Sequence, residues 1–454
     1  MTKACVIGTG YVGLVTGACL SHLGHQVTCV DNNPRKIDVL KQGSIPIFEP
    51  GLKPLVMRGM RRKKLFFTTQ IAEGMRNADV VFIAVNTPPL ADGGADLSYV
   101  ETVAREVAEH ITRPIVIVEK STVPVKTGQK IKETIRLYNT RSIAFDVASN
   151  PEFLREGSAV QDFLHPDRIV IGVESERAER TLRALYAGIK APLIVTDVAS
   201  AELIKHASNS FLATKISYIN AVAQICERIG ADITKVALGM GLDRRIGSSF
   251  LSAGIGFGGS CFPKDLFAFI KMAEETGYSF DLLKNTQKIN LDQKMLAIEK
   301  LKLSLWNLRG KTIAILGLSF KPHTDDLRNA PALEIAELLK AQGCKVRVHD
   351  PVSMEKAKAV LANVVFAKDP YEAARGADAL VLATEWPLYR KLRFAKLKSL
   401  MTTPVLVDGR NFFDPLHMKR EGFIYHSIGR PPVRPEARGV LARAKPRRSP
   451  EKIS

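Results

Sequence analysis

At 454 residues, 46% of them hydrophobic and 24% charged, the chain is long enough for two or three domains around sizeable cores. It holds no run of about 18 apolar residues, which excludes a membrane-spanning helix. Its start, KACVIG from Lys3, lacks the zones of a signal peptide, so a cytoplasmic protein is expected.

The formal charge of +19 admits two kinds of partner, nucleic acid or a polyanionic small molecule. Part of that charge lies in residues 431–454, where Pro and Arg abound and apolar residues are few, a composition that predicts disorder. The remainder is spread along the chain, as in GMRRKK (59–64) and KLRFAKLK (391–398). Nucleic acid is therefore the less favoured partner. The six cysteines, Cys5, Cys19, Cys29, Cys226, Cys261 and Cys344, are scattered without CxxC spacing. They suit a reducing compartment better than a disulfide framework, and no metal site is expected.

In chain order, KACVIG reads as a strand, TGYVG as a glycine turn, LVTGACLSHLG as a helix and HQVTCVD as a second strand. Gly8, Thr9, Gly10, Tyr11, Val12 and Gly13 form GxGxxG between strand and helix, with Asp31 closing the next strand. In that setting the pattern predicts a dinucleotide site. The glycines permit a tight turn and close approach to a pyrophosphate, and Asp31 accepts from the adenosine ribose. Asp31 favours NAD over NADP, while Arg35 and Lys36 weaken the preference; a glycine turn without a ligand is the plainer alternative.

Further short apolar strands fall at 80–85, 115–122, 145–153 and 168–173, separated by helical patterns such as LSYVETVAREVAEHI. Such alternation predicts a parallel, doubly wound sheet. SNPEFLREG (149–157) follows a strand, where open α/β sheets bind ligands. Its Glu152 and Glu156 read equally well as base and hydrogen-bond partner or as exposed acids.

Residues 200–230 lack proline and keep helical periodicity, which predicts one long helix and more helical chain to about residue 305. The long helix serves as a domain connector and dimer face, or as a plain core helix. On it, Lys205 and Asn209 share a side among Leu203, Ala207, Phe211 and Leu212. Buried, the pair is costly unless it meets a ligand; solvated, it needs no explanation.

GFGGSCFPKD (256–265) presents Cys261 after a glycine-rich turn, at the start of a helix, with Lys264 nearby and Asp265 four residues on. A helix N-terminus and a lysine lower a thiol pKa, which marks Cys261 as a reactive thiol rather than a buried structural one. Strand and helix alternation resumes from residue 311, with strands at 311–318, CKVRVHDP ending near Asp350, 377–384 and 404–411. The first turn of this half, GLSFKPHTDD, lacks the dinucleotide spacing, so a different ligand is expected. Arg245, Lys321, Arg328 and Arg410 are candidates for a phosphate or carboxylate, or surface charges. The expected class is α/β: two Rossmann-like doubly wound parallel-sheet domains, 1–198 and 306–430, joined by a helical connector, 199–305, and followed by the tail.

Taken together, VIGTGYVGL, VNTP (85–88), EKSTVPV (119–125), SNPEFLREGSAVQDFLHPDRIVIG, AELIKHASNSFLATKISYINA, GFGGSCFPKD and FKPHTDDLR resemble the UDP-glucose 6-dehydrogenase family over about residues 1–430. The related GDP-mannose dehydrogenases share NPEFLRE but carry FGGSCLPKD, and UDP-N-acetylmannosamine dehydrogenases carry a GGHC-type turn. Phe262 therefore favours the UDP-glucose branch.

The resemblance implies oxidation of the C6 alcohol of UDP-glucose to UDP-glucuronate with two NAD per sugar, Cys261 carrying a thiohemiacetal and then a thioester. It assigns Lys205 and Asn209 to oxyanion stabilisation, Asp265 to proton transfer and Glu152 to the hydrolytic water, with Thr122 beside the reaction. Cofactor contacts carry over to Gly8, Gly10, Tyr11, Val12, Gly13, Asp31, Lys36, Thr87, Thr122, Glu156, Lys264 and Arg328. Substrate contacts carry over to Glu152, Phe153, Leu154, Lys205, Asn209, Arg245, Phe250, Leu251, Ser252, Ala253, Gly254, Gly258, Phe320, Lys321 and Arg410. A homodimer through the central helix is implied, with Arg245 reaching across it. The alternatives are another nucleotide-sugar dehydrogenase, acting on GDP-mannose or a different UDP-hexose, and a non-catalytic NAD-binding basic regulator.

Overall fold

The computed structural model describes residues 1–435; most of the basic tail, 436–454, and its expected disorder lie outside the described residues. Two open sheets organise the chain. The first contains β1 (Lys3–Ile7), β2 (Gln26–Val30), β3 (Leu65–Thr68), β4 (Val80–Ile83), β5 (Ile115–Glu119), β6 (Phe145–Ser149), β7 (Ile169–Gly172) and β8 (Leu193–Thr196). Its order is β3-β2-β1-β4-β5-β6-β7-β8. The second contains β9 (Thr312–Leu316), β10 (Lys345–His349), β11 (Val365–Phe366), β12 (Ala379–Leu382), β13 (Val405–Asp408) and β14 (Ile424–Ser427), in the order β11-β10-β9-β12-β13-β14.

Both sheets reverse direction of growth beside their first strand, which opens a crevice at the carboxyl ends of the strands. The central strands, such as β4 and β9, are almost wholly apolar because helices cover both faces. In β4, Val80 and Phe82 enter one core while Val81 and Ile83 enter the other. In β9, Ile313 and Ile315 face one side, Ala314 and Leu316 the opposite one.

Two expectations need correction. The first sheet is not parallel throughout, since β6 meets β7 antiparallel through the single pair Ser149–Gly172. The SNPEFLREG turn and a short helix (Ala159–Leu164) redirect the chain between them. Four strands also escaped the sequence reading: β3, β8, β11 and β14. Most have half-exposed faces or as few as two residues, and so lack a continuous apolar signal.

The long helix runs Val198–Ile229, started by the Asp197 carboxylate accepting from Ser200 N at 2.8 Å and stopped at Gly230 with φ 77°. Here the second correction falls. Leu203 and Phe211, read among the neighbours of Lys205 and Asn209, point to solvent, and the inward face of the first half carries Glu202, Lys205, His206 and Asn209. Periodicity finds an apolar stripe but cannot say whether that stripe meets the chain's own core. In this helix the polar side chains turn inward because each finds a partner. Farther along, Ile219, Ala223 and Cys226 join the core beneath the second sheet, so one helix belongs to both halves.

Among the described residues no helix is long and apolar enough to cross a membrane. No group of three or more His, Cys, Asp or Glu side chains among them is arranged to hold a metal.

Candidate active site

The glycine turn after β1 meets two needs with three glycines. A Cβ on Gly8 (φ 100°) would stand 2.4 Å from the Ala84 carbonyl oxygen, and one on Gly13 would stand 1.9 Å from that of Gly8. Gly8 and Gly13 therefore serve close packing behind the cavity wall. Gly10 faces open space, its nearest neighbour Asn86 Oδ1 at 3.9 Å, at the N-terminus of the helix Tyr11–His22. That combination of bare backbone and helix N-terminus fits a pyrophosphate.

The cavity beside Gly10 measures about 1140 Å³ and is walled by Gly10, Tyr11, Val12, Lys36, Thr87, Thr122, Glu156, Lys264 and Arg328. Asp31 lies just behind this wall. It accepts from Thr9 N (2.9 Å), Thr9 Oγ1 (2.7 Å) and Lys36 Nζ (2.8 Å). Burial opposes its charge, but Lys36 and Thr9 prevail and hold the carboxyl below its usual range. The acid expected to meet a ribose thus arrives already paired with Lys36, which stands on the wall.

A second cavity, about 840 Å³, opens toward the second sheet. Glu152, Phe153, Leu154, Lys205, Asn209, Phe250, Ser252, Gly258, Phe320, Lys321 and Arg410 line it. Other expected contacts lie elsewhere. Leu251 and Ala253 are buried in the core under the second sheet. Gly254 backs onto the Gly409 carbonyl, 2.8 Å from where its Cβ would be. Arg245 is exposed, pairs with Asp243 at 2.6 Å and is on neither wall. Arg410 is braced by the carbonyls of Ala383 (2.8 Å) and Gly256 (3.0 Å). Burial pulls the Lys321 ammonium below its ordinary pKa, with Glu156 opposing. Lys321 and Arg410 give this end of the cleft a cationic character suited to a diphosphate.

The two cavities share Glu152, Leu154, Glu156, Ser260 and Cys261, so Cys261 sits where they meet. Its loop is fastened to the second sheet's side. Gly259 N donates to the Arg328 carbonyl at 2.9 Å, Asn329 Nδ2 donates to Gly259 O at 3.1 Å, and a Cβ on Gly258 would strike Asn329 O at 2.2 Å. Links from the neighbourhood of Cys261 to the first sheet's side are longer: Ser260 Oγ to Glu156 at 3.4 Å and Lys264 Nζ to Thr87 Oγ1 at 3.5 Å. Thr87 in turn donates to the Thr122 carbonyl at 2.9 Å.

Around the sulfur, Lys205 Nζ donates to Glu152 Oε1 at 3.0 Å, with both side chains about 95% buried. Asn209 Nδ2 donates to Asp265 Oδ2 at 2.6 Å, and Lys264 Nζ to Asp265 Oδ1 at 2.7 Å. Burial works against the Lys205 charge, yet Glu152 and Asp265 outweigh it and raise the ammonium's pKa. Asp265 is likewise held below its usual range, burial being overcome by Lys264, Lys205 and His206. The solvated reading of Lys205 therefore fails.

The expected depression of the Cys261 thiol also fails. Burial, then Glu152 and Asp265, push it up to about 11, with Lys205 and Ser260 countering only in part. Lys264 spends its charge on Asp265. The free protein at pH 7 should hold roughly 10⁻⁴ of this residue as thiolate. Alkylation by iodoacetamide should therefore be slow at pH 7 and rise about tenfold per pH unit toward pH 11. Peptide mapping should find the label on Cys261, since the other five cysteines are buried. Fast labelling at pH 7 would contradict this.

Glu156 is raised to about 7 by burial and by Asp326, against Arg328, and it accepts from Thr324 Oγ1 at 3.1 Å across the domain boundary. Sequence reasoning missed Lys120 and Asn150, which line the second cavity; both stand inside the quoted strings EKSTVPV and SNPEFLREG, where a buried lysine was the available signal.

Three family models together cover most of the chain. They describe the UDP-glucose/GDP-mannose dehydrogenase family's NAD binding domain (residues 2–190), central domain (199–292) and UDP binding domain (314–415). The chain is similar to UDP-glucose 6-dehydrogenase TuaD of Bacillus subtilis (strain 168), at 47% identity over 96% of this chain and 94% of the relative. It is equally similar to a UDP-glucose 6-dehydrogenase of Rhizobium meliloti (strain 1021), at 47% identity over 94% of this chain and 100% of the relative. The structure resembles that of a UDP-glucose dehydrogenase from the hyperthermophilic archaeon Pyrobaculum islandicum, with a TM-score of 0.90, 41% identity, and coverage of 95% of this chain and 98% of that one.

Proposed function

Because the chain belongs to the UDP-glucose/GDP-mannose dehydrogenase family, we propose that it oxidises the C6 alcohol of UDP-glucose to UDP-glucuronate through an acyl group carried on Cys261. The observation that carries this reading is the position of Cys261 at the meeting of a dinucleotide-type cavity and a cation-lined one, beside the Lys205–Glu152 pair. Overall, one alcohol, two NAD⁺ and one water give one carboxylate, two NADH and three protons.

When bound, NAD supplies the hydride acceptor for each oxidation. Gly10, the helix behind it, Lys36 and Arg328 would hold it, and the fit rests on the bare backbone at Gly10. The chain's own residues do the rest. Lys205 faces the oxygen on C6 and stabilises negative charge there as the alcohol loses its proton. The Cys261 thiol adds to the resulting aldehyde, its sulfur bonding to C6 as its proton leaves toward Asp265, directly or through water. Lys205 and Asn209 then hold the hemithioacetal oxygen, which becomes the thioester carbonyl as its proton and the remaining C6 hydride leave in the second oxidation.

In the last step water bonds to the thioester carbonyl carbon, Glu152 takes its proton, and the C–S bond breaks to release the thiol sulfur and the carboxylate. Lys321 and Arg410 anchor the diphosphate. This reading divides the chain at 1–198, 199–305 and 306–430, with an NAD site in the first part and a UDP-sugar site in the third. The exposed stripe Leu203, Phe211, Tyr218, Ile225 and Ile229 supports a homodimer through the central helix. Six unpaired cysteines support a cytoplasmic setting.

The test is a stoichiometry. UDP-glucose should yield two NADH per sugar, with UDP-glucuronate identified by mass, and GDP-mannose should be a poorer substrate by at least about tenfold in kcat/KM. One NADH per sugar with a free aldehyde product would refute the acyl carrier, and preference for GDP-mannose would refute the substrate.

A further inference from the structure

Lys120, immediately after β5, is 4% exposed and lines the sugar-side cavity with Glu152, Lys205 and Cys261. A wholly buried ammonium is costly unless something holds it. Its hydrogen bond is to Asn150 Oδ1 at 3.0 Å. That oxygen also accepts from the Tyr186 hydroxyl at 2.5 Å, while Asn150 Nδ2 donates to the Val170 carbonyl at 2.7 Å. A tyrosine, an asparagine and a strand carbonyl thus fix one buried lysine at the cavity wall. Neither its one hydrogen-bond acceptor nor its burial neutralises it.

Charge explains why such an arrangement persists. Burial lowers the Lys120 pKa to about 8, with Glu152 and then Glu119 favouring the ammonium and Lys205 opposing it. Glu119 is itself pushed well above its ordinary range by burial and by Glu202, so it is a poor permanent counter-ion. Glu152 is the anion that remains. It receives Lys205 from the central helix at 3.0 Å and Leu154 N at 2.5 Å, and it lines the same cavity as Cys261.

We propose that Lys120, tethered by Asn150 and Tyr186, is a positioning residue that fixes the 149–157 turn, and with it Glu152, for the water that releases the acyl group from Cys261. Lys205 cannot fill this task alone. Its ammonium is engaged by the substrate oxygen during both oxidations, and Glu152 then loses part of its nearest cation. Lys120 never touches the reacting atoms in this scheme. The inference rests on the activity proposed above.

The test compares parent, Lys120→Met, Lys120→Arg and Tyr186→Phe as full-length proteins. Lys120→Met should form NADH in a burst of two per site and then turn over about tenfold or more slowly, with the acyl group found on Cys261 by mass. The KM for UDP-glucose should stay within about threefold, since the defect follows binding. Lys120→Arg should recover most of the rate, and Tyr186→Phe should slow acyl release in the same way by less. Absence of the acyl group on Cys261 in Lys120→Met, a loss confined to KM, or an arginine variant as impaired as the methionine one overturns the proposal. Should Lys120→Met not fold, acyl release at the parent rate in Tyr186→Phe overturns it. A parent that leaves UDP-glucose unoxidised overturns the activity itself, which is a separate outcome.

Discussion

Replacing Cys261 with serine is expected to lower steady-state UDP-glucuronate formation by at least about a thousandfold, some 4 kcal/mol in the barrier. The reason is local. A serine hydroxyl is far harder to deprotonate than a thiol, and burial with Glu152 and Asp265 nearby already opposes negative charge at this position. An ester formed there is also a poorer leaving arrangement than a thioester. The variant should keep its fold, because the side chain is nearly isosteric and the loop's backbone is held by the Arg328 carbonyl and the Asn329 side-chain amide. Single-turnover NADH should reach no more than two per site before stalling. Normal UDP-glucuronate output from this variant would remove Cys261 from the mechanism.

Lys205→Met should fail in two measurable ways. It removes the cation nearest to the developing oxyanion, an effect of about 10²–10³ in kcat. It also strands the Glu152 carboxylate in a site about 95% buried, where loss of one partner of a buried pair costs roughly 3–5 kcal/mol of stability. Adding Glu152→Gln separates these. The double variant should regain most of the stability, read by denaturant midpoint, while activity stays low. If the single variant keeps kcat within about threefold, Lys205 is a structural ion-pair partner and nothing more.

Much of this architecture was legible because it depends on short-range rules. Strand–glycine–helix order with Asp31 at the next strand end is a local signature, and in the first turn Gly8 and Gly13 meet close backbone packing while Gly10 faces the cavity. The cysteine loop is equally legible, since glycines flanking a cysteine at a helix start are visible in ten residues, and Cys261 does stand where the two cavities meet. What could not be read was sign and direction. The same helix start that should depress the Cys261 pKa lies beside Glu152, which is 109 positions earlier in the chain. Lys264 was correctly placed near the thiol but is claimed by Asp265. The face of the central helix was misjudged for a related reason: Lys205 and Asn209 find their partners at Glu152 and Asp265, and no periodicity carries that information. Lys120 carries only a weak signal of its own, because it adjoins the apolar run of β5 and its partner Asn150 lies 30 positions further on.

The unequal fastening of the cysteine loop has a mechanical consequence. Its backbone is tied to Arg328 and Asn329 at 2.9–3.1 Å, whereas its neighbours reach the first sheet's side by side-chain contacts of 3.4–3.5 Å. Arg410 is tied to the same loop through Gly256 at 3.0 Å. Cys261 and Arg410 are therefore fastened to one backbone loop and move as it moves. Under the activity proposed above, a sugar held on the sulfur stays in register with the Arg410 end of its cavity while a spent dinucleotide is replaced on the other side.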